Sequence, residues 1–148
     1  MNWQRPPYRI TDDPRAVDLA VVHEFLASSY WARGIPRETV ARAVARSLPF
    51  SLFQGDRQVG FARAVTDRAT FAYLADVFVL ESERGRGLGG WLVATVLALP
   101  ELQGLRRWLL ATRDAHGLYR RFGFTPLADP SIVLTRHDPE IYVRLQRG

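Results

Sequence analysis

Apolar and polar positions recur along this chain with two periods, and the switches between them divide it into elements. Tyr8-Arg9-Ile10-Thr11 alternates and reads as a short first strand. Asp12-Asp13-Pro14 then offers a cap and a first-turn proline for a helix. Val17, Ala20, Val21 and Phe25, with Glu24, follow at helical spacing through Ser28. Gly34-Ile35-Pro36 breaks that helix, and Pro36 opens a second one through about Ser47. There Val40, Ala43 and Val44 share a face and arginines take the other.

Strands come next. Phe50–Phe53 and Val59–Val65 flank Gly55-Asp56-Arg57, a hairpin signal. The run from Thr70 to Leu80 is apolar at both parities, with Phe71, Tyr73, Ala75, Val77 and Val79 on one and Ala72, Leu74 and Phe78 on the other. That pattern predicts a central strand covered on both faces, with Asp76 its one charge. A helix is expected from about Gly87 to Leu99, buried through Leu88, Leu92, Val96 and Leu99. Trp108–Ala111 reads as another strand, and a short helix from Ala115 to Phe122 ends at Gly123. Further strands are expected within Phe124–Thr135 and near Ile141–Leu145. The order is β-α-α-β-β-β-α-β-α-β, an α/β layer arrangement with a mixed sheet, expected as a single domain over residues 1–148.

Composition removes several classes of function. The chain has no cysteine, which excludes disulfides, thiolate metal sites and a cysteine nucleophile. No apolar run approaches the roughly 18 residues of a membrane span, and the start lacks a leader's apolar core. A cytoplasmic location is the default expectation, with no membrane partner. The net charge is +5 and every basic residue is arginine. These arginines are scattered among Asp and Glu, without the continuous basic stripe and stacking aromatics of a nucleic-acid surface. A polyanionic ligand accounts for a mild positive excess as well.

The candidate for holding it is the step from Val79 into the helix at Gly87. A strand ends, a glycine-rich turn follows, and a helix begins with unpaired N–H groups and the positive end of its dipole. Gly85, Gly87, Gly89 and Gly90 leave little bulk, so an anion can approach the backbone. Arg84 and Arg86 add charge-assisted donors. The plain alternative is a turn whose glycines serve packing. A Walker loop needs a lysine, and the chain has none. Gly85, Gly87 and Gly90 fit the dinucleotide spacing, but the opening strand–turn context is missing. So is the acidic residue about 20 positions on.

Arg84-x-x-Gly87-x-Gly89 resembles the R/Q-x-x-G-x-G/A signature of the GNAT superfamily of N-acetyltransferases. Downstream, Ala115-x-x-Leu118-Tyr119-x-x-Phe122-Gly123-Phe124 is similar to the family's A-x-x-L-Y-x-x-x-G-F pattern. The resemblance implies a central mixed, mostly antiparallel sheet of six to seven strands flanked by about four helices. It implies acetyl-coenzyme A as co-substrate and no metal, with coenzyme A lying between diverging fourth and fifth strands. Phe78 and Val79 would pair with the pantetheine arm as an added strand does. The pyrophosphate would sit on the amides of Arg84, Gly85, Arg86, Gly87, Leu88, Gly89 and Gly90. Thr112 stands where the family commonly has asparagine, and His116 would line the groove.

By the same resemblance, a substrate amine attacks the thioester directly. Tyr119 matches the tyrosine that is often the general acid, its phenol being protonated near neutrality; alternatively it packs against cofactor or core. The Val79 amide is the candidate oxyanion donor. The base is open. Asp76 could accept a proton through water, hold a cationic substrate, or pair with an arginine such as Arg63. The glutamate base of the histone-acetylating branch has Tyr73 in its place. His23 and His116 are possible bases by residue type, though His23 reads better as a polar helix-face residue. The acceptor side is expected at Ser28–Pro36, where Tyr30 and Trp31 could stack on a cationic acceptor or plug the sheet. A small-molecule amine is the expected substrate, because no extended acidic patch stands out. A non-catalytic acyl-coenzyme A sensor is the rival reading. Members of the family often pair, so a homodimer is also open.

Overall fold

A computed structural model describes residues 1–147. Six strands form one sheet in sequence order: β1 (Asn2–Arg5), β2 (Tyr8–Thr11), β3 (Leu48–Gln54), β4 (Arg57–Thr66), β5 (Phe71–Val79) and β6 (Arg107–Leu109). Neighbours are antiparallel except β5 and β6, which are parallel. Five helices accompany them: α1 (Leu19–Ser28), α2 (Arg37–Ala45), α3 (Leu88–Leu97), α4 (His116–Arg120) and α5 (Ile141–Arg147). A parallel neighbour needs a crossover, and α3 supplies it. No helix among the described residues is long and apolar enough to cross a membrane.

Two clusters of buried side chains cover the two faces of the sheet. Leu88, Leu92, Val93 and Val96 of α3 pack with Phe50, Leu52, Ala62 and Leu74. Val22 and Leu26 of α1 and Val40 and Val44 of α2 pack with Phe61 and Phe78. The expected stripes of α2 and α3 thus reach the core through Val40, Val44, Leu88, Leu92 and Val96, with Leu99 also buried.

Three regions differ from the expectation. Asn2–Arg5 forms an edge strand paired with β2, and Pro6-Pro7 makes the turn, where neither proline has to supply a ladder N–H. The first helix begins later than Asp12-Asp13-Pro14 suggests. Asp13 caps only a 3₁₀ turn over Pro14–Ala16. Asp18 then starts α1 by accepting from the Val21 amide, while its own N–H is held by Gln58 at 2.7 Å. This moves the buried stripe to Val22 and Leu26.

The third difference is the C-terminal region, where no strand forms among the described residues. Asp129-Pro130 and Asp138-Pro139 start helical turns, an acceptor followed by a proline with its φ preset. The Asp129 carboxylate accepts from the Ser131 amide and that of Asp138 from the Glu140 amide. Pro130–Ile132 is therefore a 3₁₀ turn and Ile141–Arg147 is α5.

The feature of β5 with the most consequence is a bulge. Pairing runs from Phe61↔Phe78 directly to Arg63↔Ala75, so Asp76 and Val77 together oppose Ala62. Asp76 has φ +55°, a left-handed conformation uncommon outside glycine. The extra residue exchanges the faces of the strand. Leu74, Val77 and Val79 pack on the α3 side, and Phe78 turns to the α1–α2 side. Each of the two parities visible in the sequence changes face at Asp76; Ala72, Leu74, Ala75 and Phe78 are buried, whereas Tyr73, Val77 and Val79 are half-buried and Phe71 is exposed.

Gly60 lies opposite Val79 on β4. A Cβ there would meet the Leu52 side chain at 2.9 Å and the Phe78 carbonyl at 3.0 Å. Gly60→Ala is expected to cost about 1–3 kcal/mol, as overpacking does. The measurement is a urea midpoint that falls with an unchanged slope; an unmoved midpoint would show that β4 and β5 separate freely.

Candidate functional site

β5 and β6 pair only over Phe71–Tyr73 and Arg107–Leu109. Beyond Leu74 the bulged half of β5 has no neighbour on that side. Leu80 donates to the Val59 carbonyl at 2.8 Å. In an antiparallel ladder outward and inward pairs alternate, so the Val79 amide and carbonyl face the open side. The Arg84 Nε takes that carbonyl at 3.1 Å.

The opening leads into a groove of about 630 Å³. Phe25, Tyr30 and Trp31 form one wall, and Leu118 and Tyr119 the other. Its floor is Val77–Val79 and its end is the loop from Glu83 to Gly89. Phe25 stacks on Phe78 with ring centroids 4.0 Å apart, which fixes the floor.

Gly87 is the N-cap of α3 with φ +73°, and Gly85 has φ +82°. Both conformations favour glycine. The amides of residues 85–90 donate to no acceptor among the described residues, as expected of a free helix N-terminus. The loop is anchored from behind by Glu83. This buried carboxylate accepts from the Tyr8 hydroxyl at 2.8 Å and lies 3.0 Å from Arg86 Nη1. Arg86 also donates to the Tyr8 hydroxyl at 2.7 Å. Its guanidinium therefore braces the loop from β2 and lies outside the groove lining, and so does Gly90.

Asp76 was open to three readings, and the structure pairs it with Arg63. Its Oδ2 accepts from Arg63 Nε at 2.6 Å, and Oδ1 accepts from the Trp31 indole at 2.9 Å. Arg63 reaches on to the Ser47 hydroxyl at 3.0 Å. Both oxygens are committed, so Asp76 holds Trp31 against the groove mouth. Asp76→Ala is expected to lower stability by about 2 kcal/mol, the range for lost bonds to charged groups. Urea unfolding measures this, with a change in tryptophan emission as Trp31 is released; parent-like values for both would remove the bridge.

Across the mouth, the Tyr30 hydroxyl accepts from the Arg113 amide at 3.0 Å, and the Arg113 guanidinium lies 4.0 Å from the Tyr30 ring centre. This ties the α1–α2 connection to the loop before α4. Tyr119 is buried, and its phenol is pushed up to about 12, chiefly by burial and then by Tyr30 and Asp114. Asp114 lines the groove beside it and forms no ion pair among the described residues. Sequence reading passed over Asp114; its place between Thr112 and the Ala115–Phe124 motif was the available signal. Thr112 accepts from the Ala115 amide at 3.1 Å, starting α4. Thr112 and His116 face a second cleft behind Tyr119 rather than the groove. His23 bonds the Ile35 carbonyl at 3.0 Å, a structural role.

The family model described as the acetyltransferase (GNAT) family matches residues 2–124. The chain belongs to the GNAT family. A Gibberella zeae protein named as a candidate acetyltransferase is 30% identical over 139 residues, 80% of this chain and 78% of its own. A crystal structure of a candidate GNAT acetyltransferase from Xanthomonas campestris pv. campestris is 47% identical, with a TM-score of 0.90 over 94% of this chain and 99% of that one. A Clostridium acetobutylicum protein named as a candidate acetyltransferase, solved with acetyl-CoA, shares the fold at 13% identity, with a TM-score of 0.64 over 93% of this chain and 96% of that one. This GNAT chain is thus an acyltransferase by family, and acetyl transfer is the family's activity.

Proposed function

We propose that this GNAT chain transfers the acetyl group of acetyl-coenzyme A to a primary amine of a small molecule, by direct attack with both substrates bound. The observation that carries this reading is that the free amides of Gly85, Gly87, Leu88 and Gly89 and the buried Tyr119 phenol belong to the lining of one groove.

The residues present fit the acyl donor. A helix N-terminus with unpaired amides and little side-chain bulk suits a pyrophosphate. The open edge of β5 offers the Val79 amide to an extended chain, as an added strand would use it. The co-substrate supplies an activated acyl thioester. The protein then has to place the amine, take its proton, stabilise developing oxyanion charge, and protonate the leaving sulfur. Tyr119 retains its proton at all ordinary pH and can donate it. The Val79 amide is the donor for the oxyanion. Asp114 replaces Asp76 as the carboxylate available to the amine, because Asp76 is already bound on both oxygens. Tyr30 and Trp31 offer aromatic faces to a cation.

The experiment is thiol release from acetyl-coenzyme A across a panel of small amines, beside calorimetric binding of coenzyme A. Turnover with at least one amine is expected. Saturable binding with no turnover would favour the sensor reading, and absence of binding would overturn both.

A further inference from the structure

Two opposite charges stand side by side in the loop before α4, and neither is neutralised. Asp114 lines the groove with Tyr30 and Tyr119. Its neighbour Arg113 stands at the rim, outside that lining, with its guanidinium 4.0 Å from the Tyr30 ring centre. Among the described residues neither side chain enters an ion pair, with the other or with any third group. The remaining charged side chains of the groove and its mouth have partners. Glu83 holds Tyr8 and Arg86, and Arg84 donates to the Val79 carbonyl. Asp76 is bound on both oxygens by Arg63 and Trp31. Asp114 is therefore the uncommitted charge of the lining, with Arg113 beside it.

Arg113 is placed as well as exposed. Its backbone amide donates to the Tyr30 hydroxyl at 3.0 Å, while its guanidinium lies over the same ring. A guanidinium resting on an aromatic face loses little further freedom on binding, and its planar fork of N–H donors matches the two oxygens of a carboxylate. Asp114 offers the complementary charge one residue along. It is close enough to Tyr119 to act on it: burial raises that phenol most, and Tyr30 and Asp114 add to the rise. The amine end of a ligand thus belongs toward Tyr119 and an anionic end toward the rim. An acceptor with cationic groups at both ends would set like charge against Arg113, which is unfavourable.

The geometry points to an acceptor that carries both charges: the substrate is a free amino acid, its amine held at Asp114 and its carboxylate at Arg113. This rests on the acetyl-transfer reading above and narrows its substrate class. In the transfer the amine nitrogen bonds to the thioester carbonyl carbon and the carbon–sulfur bond breaks. The ammonium sheds one proton to solvent and a second that replaces the one Tyr119 gives to the leaving sulfur. The products are an N-acetylated amino acid and the free thiol of coenzyme A.

The test is thiol release from acetyl-coenzyme A with the standard amino acids, each beside its amide and its decarboxylated amine. At least one amino acid is expected to exceed both analogues by about tenfold to a hundredfold in kcat/KM, the range for a charge-assisted contact. Arg113→Ala should bring that amino acid down to the level of its amide, mainly through KM, and Arg113→Lys should recover part of the difference. Calorimetric binding of coenzyme A keeps the two readings apart. A chain that binds coenzyme A and acetylates the amines or amides as well as the amino acids would overturn this inference and leave the proposed function standing. A chain that binds coenzyme A and acetylates nothing in the panel, or one that fails to bind it, would overturn both. An Arg113→Ala variant that keeps the parent's preference would also overturn it, since the carboxylate would then be held elsewhere.

Discussion

Replacing Gly87 with glutamate is expected to remove coenzyme A binding while the protein still folds. No heavy atom lies within 4 Å of a Cβ built at Gly87, so the side chain meets open space. The backbone φ of +73° makes any Cβ residue there cost about 1–2 kcal/mol of stability. The larger effect falls on the ligand. The carboxylate would stand at the mouth of the unpaired amides, where the proposed reading seats a pyrophosphate. Two unit charges about 4 Å apart repel by about 4 kcal/mol at an effective dielectric of 20. At about 1.4 kcal/mol per decade, that weakens affinity roughly a thousandfold. Gly87→Ala brings the backbone strain without the charge and should weaken binding by no more than about tenfold. Calorimetry on both variants, with circular dichroism to check folding, separates the two terms. Parent-like affinity in Gly87→Glu would place the pyrophosphate elsewhere.

Gly87 was legible in the sequence because its role is local: a strand end, a glycine and a helix start lie within ten residues. The stripes of α2 and α3 were legible for the same reason, since 3.6-residue periodicity is written along the chain. What the sequence could not show depends on partners distant along it. The run from Thr70 to Leu80 displays two apolar parities, and nothing local says that they change places at Asp76. That exchange follows from the pairing of β5 with β4, and it opens the side of β5 that faces the groove. Asp76 itself looks like a lone charge in a strand. Its partners Arg63 and Trp31 are 13 and 45 residues away, and each takes one of its oxygens. Arg86 is a similar case, because the Tyr8 hydroxyl that it bonds lies 78 residues away. The C-terminal strands failed for a local reason that could have been read. Asp129-Pro130 and Asp138-Pro139 are helix-start dipeptides, and the apolar residues after them drew the reading toward strands.

The same distinction sharpens Tyr119, whose position was legible and whose proton affinity was not. Tyr119→Phe is expected to lower kcat about a hundredfold, at the lower end of what a positioned proton donor contributes, with coenzyme A affinity within about twofold of the parent. The substitution isolates the hydroxyl. The ring keeps its edge-on contact with Phe124, and the phenol oxygen has no hydrogen-bond partner among the described residues to lose. A hundredfold corresponds to about 2.7 kcal/mol of lost transition-state stabilisation. The pH dependence follows from the upward shift. The folded state holds this proton more tightly than the unfolded chain, so its contribution to stability is complete below pH 10 and is lost as pH rises through 12. Tyr119→Phe should therefore lose less stability than the parent over that interval. In turnover the parent should show no basic limb from Tyr119 below pH 12, and any limb near neutrality belongs to another group. Unchanged kcat in Tyr119→Phe would mean that the leaving sulfur takes its proton from solvent, and the phenol would then be a wall of the groove rather than an acid.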